Sequence, residues 1–203
     1  DATTTTIKFN GDGTFTGTLD GAVATVGDNV TMTAAANVVA GETINKVSTG
    51  ALAVRIGTGD ANVDLTSIRG DALLSVTVTD NVTFAGTLHG TVQTAVDAGF
   101  TLTTSAAKAT GKTIVDGSGA ATTAITALDD TVTANLGNIA TTTVTAAVGL
   151  SNETVMFIGN LGKAAVTITG TSGGSDDIFN VDGATMETAT FSVGADAILQ
   201  GTA

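Results

Sequence analysis

Apolar and polar residues alternate with a period of two along most of this chain, in short runs broken by Gly, Asp and Asn. That is the period of a β-strand, whose successive side chains point to opposite faces. Ile7-Lys8-Phe9, Val30 to Ala34 and Leu73 to Thr79 alternate most clearly. Ile44 to Val47, Leu52 to Ile56 and Val63 to Ile68 are shorter strand candidates, with Gly57 to Asp60 between the last two. The stretch Phe15 to Val26 carries the strongest signal. Asp20-Gly21 divides two alternating runs and predicts a two-residue hairpin, because both residues of such a turn take positive φ. Folding there pairs Leu19 with Ala22, Gly17 with Ala24 and Phe15 with Val26 on an apolar face. Thr16, Thr18, Val23 and Thr25 fall on the other.

The pattern returns 69 residues later as Phe84 to Ala95, with His89 where Asp20 stands. Asp28 to Thr33 is echoed by Asp97 to Thr103 with one residue inserted, so a unit of three strands is duplicated. Asn135-Leu136-Gly137 is echoed by Asn160-Leu161-Gly162. A third Asp-Gly pair, Asp182-Gly183, predicts a hairpin that sets Val181 against Ala184 and Phe179 against Met186. Ala120 to Leu128 is the one helix candidate, and its Thr content opposes it. Three hairpins with one apolar face each predict an all-β fold, an antiparallel β-sandwich of jelly-roll type. A β-solenoid is the alternative, since small residues, many turns and an echo near a coil length suit stacked coils. The two-residue hairpins weigh against it, because parallel strands need longer connections. Residues 1–13 read as an N-terminal strand and hinge, and residues 14–203 as the sandwich, in two similar lobes beginning near 14 and 83.

Composition narrows the chemistry. Thr supplies 42 of 203 residues and Gly 26, with no Pro, Cys, Trp or Tyr. Without Cys there is no disulfide frame, thiolate metal site or thiol nucleophile. The net charge is −12, and the seven Lys and Arg residues are scattered, which disfavours nucleic acid and anionic membranes as partners. No apolar run approaches the ~18 residues of a membrane-crossing helix. An N-terminus of Asp1-Ala2-Thr3 suits a processed export product.

Several motifs are candidates for chemistry. Asp60, Asn62 and Asp64 have the alternate spacing of a calcium loop, with Asp71 at the twelfth position, but Leu65 stands where such a loop turns on Gly. Calcium is therefore the one cofactor for which the sequence offers ligands. Gly173 to Phe179 resembles a single unit of the calcium-binding nonapeptide arrays of secreted RTX proteins. Ala106 to Thr113 matches a relaxed phosphate-binding loop, but strand and turn residues follow it instead of a helix. His89, the sole histidine, reads as a turn residue. Asp129-Asp130 and Asp176-Asp177 read as solvated turns. Arg69-Gly70-Asp71 matches an integrin-type tripeptide. Asn29, Asn81 and Asn152 head N-glycosylation triplets, which a Thr-rich chain produces by chance. Repeated Thr-x-Thr pairs read as solvent faces of strands, their irregular spacing arguing against an ice-binding array.

No base, nucleophile or paired acid is assembled here, so the sequence predicts no enzyme and no small-molecule substrate. The Thr/Ala/Gly/Val-rich, acidic, Cys-free composition with Asp-Gly turns resembles bacterial surface-layer, extracellular-filament and type I-secreted adhesin proteins. That resemblance implies an exported, extracellular or cell-surface structural role. The expectation is a self-assembling subunit of a filament or surface layer, with copies of itself as partners; a ligand-binding or adhesin module is the alternative. In the strand-exchange version, Thr3, Thr5, Ile7 and Phe9 leave their own subunit and add to the next. Gly11-Asp12-Gly13 is the hinge.

Overall fold

The computed structural model describes residues 5–126, 132–135, 137–147, 154–160, 165–169, 177–185, 190–194 and 197–201. The chain is all-β, and its strands run parallel, stacked as a β-solenoid. It divides into two compact units, Asp1–Ala95 and Val96–Ala203.

The first unit contains β1 (Thr6–Phe9), β2 (Gly13–Phe15), β3 (Val23–Val26), β4 (Thr31–Ala35), one helical turn α1 (Ala36–Val39), β5 (Thr43–Lys46), β6 (Ala51–Ile56), β7 (Leu73–Val78) and β8 (Val82–Thr83). β1, β3 and β5 form one stack, and β2, β4, β6 and β7 another. The second unit begins within β9 (Thr94–Val96). It continues with β10 (Thr101–Ser105), α2 (Ala106–Ala109), β11 (Ile114–Asp116), β12 (Thr122–Thr126), β13 (Val132–Asn135), β14 (Ile139–Ala140), β15 (Thr143–Ala147), β16 (Thr154–Asn160), β17 (Ala165–Thr169), β18 (Asp177–Thr185), β19 (Thr190–Val193) and β20 (Ala197–Gln200). Its stacks are β9-β11-β14, β10-β12-β15-β17-β19 and β13-β16-β18-β20.

The antiparallel sandwich is thus corrected to the solenoid, and the hairpins go with it. The Asp20-Gly21 turn does form: both residues have positive φ, 47° and 75°, and Ala22 N–H donates to the Leu19 carbonyl at 2.8 Å. The strands beside it do not pair with each other. β3 already has β1 on one edge and β5 on the other, so no edge is left for residues 15–17. Phe15 pairs with Ala34 instead. A two-residue turn fixes the local reversal but not the strand's partner.

Asp182-Gly183 is no turn at all. It lies inside β18 at a bulge, where Met156 is opposite Asn180 and Ile158 opposite Gly183; glycine is common at such irregularities. Ala120 to Leu128 contributes β12 rather than a helix over its described part, as χ1-restricted Thr favours. Val63 to Ile68 contains a 3₁₀ turn, Leu65–Ser67, instead of a strand.

Each strand's partner lies one coil along the chain, as Thr6 with Val23, Thr101 with Thr122 and Ala165 with Thr190. Parallel register sets one inward side chain on the next. Ile7 sits against Ala24 and Ala24 against Ile44; Ala34, Val54 and Val76 form another ladder. In the second unit Leu102, Thr123 and Val144 stack likewise. These residues are buried except Ile7, which is half-buried at the stack's edge. A narrow coil leaves room for small and branched side chains and little for large rings, which fits the scarcity of aromatics.

The 69-residue echo has a structural basis. A Cβ on Gly17 would lie 3.0 Å from the ring of Phe15, and one on Gly86 only 2.8 Å from the ring of Phe84. In Phe-x-Gly-Thr-Leu the ring folds over the glycine two residues on, and Leu19 and Leu88 are both buried. The corners after β4 and β10 also match. In α1 and α2, Ala40 N–H donates to Ala36 O and Thr110 N–H to Ala106 O. Glu42 N–H then donates to Val39 O and Lys112 N–H to Ala109 O. Gly41 and Gly111 take left-handed φ, 79° and 70°, to end the turn.

Truncating a ladder residue should be costly and truncating an exposed one should not. Leu52→Ala, at a fully buried site, should destabilise the chain by about 2–5 kcal/mol. Leu74→Ala, at a site 67% exposed, should stay within about 0.5 kcal/mol. Denaturant unfolding followed by circular dichroism checks both.

Candidate functional site

The carboxylates do local structural work. Parallel strands leave backbone N–H groups at each corner without a ladder partner, and an Asp one coil away accepts many of them. Asp12 Oδ1 accepts from Thr31 N–H at 2.6 Å and Asp28 Oδ1 from Thr49 N–H at 3.2 Å. Asp71 Oδ1 accepts from Lys46 N–H at 2.9 Å and Asp116 Oδ1 from Thr142 N–H at 2.9 Å. The bonded pairs lie 19 to 26 residues apart, one coil in each case. Much of the acidity that suggested cation binding is thus spent on tethering coil to coil.

The calcium candidates fall into this pattern. Asp60 is 4% exposed. Its Oδ1 accepts from Asn37 N–H and its Oδ2 from Gly57 N–H, each at 2.8 Å. Asp64 is exposed and caps the following 3₁₀ turn, accepting from Thr66 N–H at 2.9 Å and the Thr66 hydroxyl at 2.6 Å. Asn62 is exposed. Among the described residues no group of three His, Cys, Asp or Glu side chains converges.

The other motifs are placed as follows. In the phosphate-loop match the helical turn comes first, at Ala106–Ala109, and β11 follows Thr113. Ala36 to Thr43 builds the same corner with Glu42 in the place of Lys112, so the match marks a solenoid corner, not a phosphate cradle. His89 Nδ1 accepts from Thr91 and Val92 N–H at 3.3 and 3.0 Å, as a turn residue would. Arg69 donates through its guanidinium to the Gly41 carbonyl. Its neighbour Asp71 is the tether to Lys46, so the Arg-Gly-Asp tripeptide is built into a corner. Asn29 and Asn81 are exposed, and Asn29 Oδ1 accepts from the Thr49 hydroxyl at 3.0 Å. Asn152, Thr3, Asp129-Asp130, Asp176 and residues 173–175 of the RTX-like unit lie outside the described residues. A cleft of about 330 Å³ opens beside the Asp20-Gly21 turn between Thr18, Asn37 and Glu42.

The segment considered for exchange lies on its own chain. Thr5 O accepts from Val23 N–H at 3.0 Å, and Thr6–Phe9 forms β1 on β3. This seats Ile7 on Ala24 and Phe9 on Val26, so both apolar side chains find a partner without leaving the subunit. The outer edges of β1 and β2 are the terminal edges of their stacks among the described residues. There Phe9 and Phe15 meet edge to face, with centroids 5.4 Å apart, and both are half-buried. A shallow depression between them is lined by Gly11, Gly13 and Thr14. Strand alternation alone does not reveal this pair, because Phe9 and Phe15 belong to different stacks.

Comparison with family models, curated proteins and solved structures finds no match. Among the described residues, no helix is long and apolar enough to cross a membrane.

Two predictions concern the tethers. Asp60→Ala should orphan two N–H donors at about 1–3 kcal/mol each. The fall in melting temperature should be the same in EDTA as in excess calcium, whereas a calcium site at Asp60 would make it larger in calcium. The second concerns acid. The Asp28 carboxyl is held below its ordinary value of 3.8, chiefly by the Thr49 hydroxyl and then by the Thr49 N–H. A carboxyl depressed on folding contributes stability above its unfolded pKa and loses it as pH falls through the folded one. Asp28→Asn should therefore flatten part of the stability loss below pH 3.8 in an acid titration followed by circular dichroism.

Proposed function

We propose that this chain is a self-assembling extracellular structural subunit, of a filament or surface layer at the cell surface, and not an enzyme. The observation that supports this most is the terminal edge of β1 and β2. Among the described residues, it presents unpaired strand backbone beside the half-buried Phe9–Phe15 pair. A strand edge of this kind is a template for another chain's strand, and the rings add apolar area to the junction. Addition of one coil onto another is head-to-tail, so it does not close and gives a polymer. The partner is a second copy of the chain. Strand exchange through residues 3–10 is one route to such a junction; simple edge addition is the other and needs no displacement of β1 from β3.

Negative-stain micrographs of purified protein across a concentration series test this. Polymers of one repeated subunit are expected. Phe9→Glu should prevent them while leaving the circular dichroism spectrum unchanged, because it places a charge at the junction rather than in the core. Monodisperse particles at every concentration, or polymers unaffected by Phe9→Glu, would refute the proposal. Deleting residues 1–10 and adding back a peptide of residues 3–10 separates the two routes: rescue by the peptide indicates exchange.

A further inference from the structure

Thr-x-Thr pairs that look irregular in sequence become regular in space. In the stack β10-β12-β15-β17-β19 the connecting loops differ in length, but hydrogen bonding sets the register. One outward row reads Thr101, Thr122 and Thr143, with Ala165 and Thr190 at the same register position in β17 and β19. The next, two residues along each strand, reads Thr103, Ala124 and Thr145, with Thr167 and Ser192 at the same register position in β17 and β19. The register runs without a shift through all four pairings. The described residues of these rows in β10, β12 and β15 are partly exposed. The residues between them, Leu102, Thr123 and Val144, are buried, as is Ile125 just beyond the second row. The face is therefore a two-dimensional grid of hydroxyl and methyl groups with no charged position in either row.

The grid has two repeats: about 4.7–4.9 Å from strand to strand and roughly 6.6 Å between alternate residues. The strand-to-strand repeat lies close to the short oxygen repeat of hexagonal ice. Each Thr supplies a hydroxyl that can join a water lattice and a methyl that orders the water around it. The absence of charge leaves no strongly hydrated group to disrupt that order. The first unit's corresponding rows lack these properties. The row of Thr33, Ala53 and Ser75 passes a register shift between Leu52 and Ala53, and the adjacent row carries Arg55.

We infer that the outward face of β10, β12 and β15 binds crystalline water. This goes beyond the assembly proposed above and does not depend on it, since the face belongs to a single chain. The test is ice itself. Full-length protein, labelled with a dye, is placed around a single growing ice crystal, and its effect on crystal shape and its uptake into slowly grown ice are measured. The wild-type chain should facet the crystal and enter the ice. Thr122→Lys and Thr103→Lys, each raising a bulky charge above the grid, should abolish both effects with an unchanged circular dichroism spectrum. Ser75→Lys, on the first unit's outward row, should leave both intact. A wild-type chain that leaves crystals rounded and stays in the liquid overturns the inference. So do folded Thr122→Lys and Thr103→Lys chains that behave as wild type. Phe9→Glu protein, kept from polymerising, should bind ice as well as the wild type; failure of assembly is thereby read separately from failure of this face.

Discussion

In-register parallel stacking of each strand on its neighbour one coil away is the constraint from which the rest of this structure follows. It gives an internal strand hydrogen-bonding partners on both edges and places inward side chains in columns. Ala24 can be as small as it is because Ile7 and Ile44 lie directly on either side of it. Ala34 is buried beneath Val54 in the same way. Burial here comes from repetition of modest side chains rather than from a few large ones.

The same stacking creates a problem at the corners. Where the chain turns, backbone N–H groups leave the ladder and need acceptors. Asp12, Asp28, Asp60, Asp71 and Asp116 supply them, each reaching a residue one coil away or the turn beside it. An acidic composition thus serves the fold directly. It also explains why acids at calcium-like spacing do not converge: Asp60 and Asp64 accept from different turns, and Asp60 is buried while Asp64 faces water.

The two faces of the coil divide structure from proposed function. Inward columns hold the units together. The terminal edge with Phe9 and Phe15 and the Thr grid over β10, β12 and β15 are the two surfaces on which the proposed interactions rest. One is apolar and has open backbone; the other is a closed sheet face rich in hydroxyls. The partners proposed for them differ accordingly, a second copy for the edge and an ordered water lattice for the face.

The sequence alone determined that the chain is all-β, which runs become β1, β4, β5, β6 and β7 to within a residue or two, and that Asp20 and Gly21 form a turn with positive φ. These depend on local rules: a period of two, χ1 restriction in Thr and Val, and the turn residues themselves. It also carried the duplication, whose Phe-x-Gly motif is a contact between residues two apart. Only the tertiary structure decided which strand pairs with which. Alternation specifies that Ala24 and Val26 face inward, but not whether Gly17 and Phe15 or Ile7 and Phe9 lie beside them. Both pairings bury the same face, and the choice rests on backbone partners tens of residues apart. For the same reason the Thr pairs appeared unordered in sequence. Loops of unequal length hide a register that exists only once the strands are stacked.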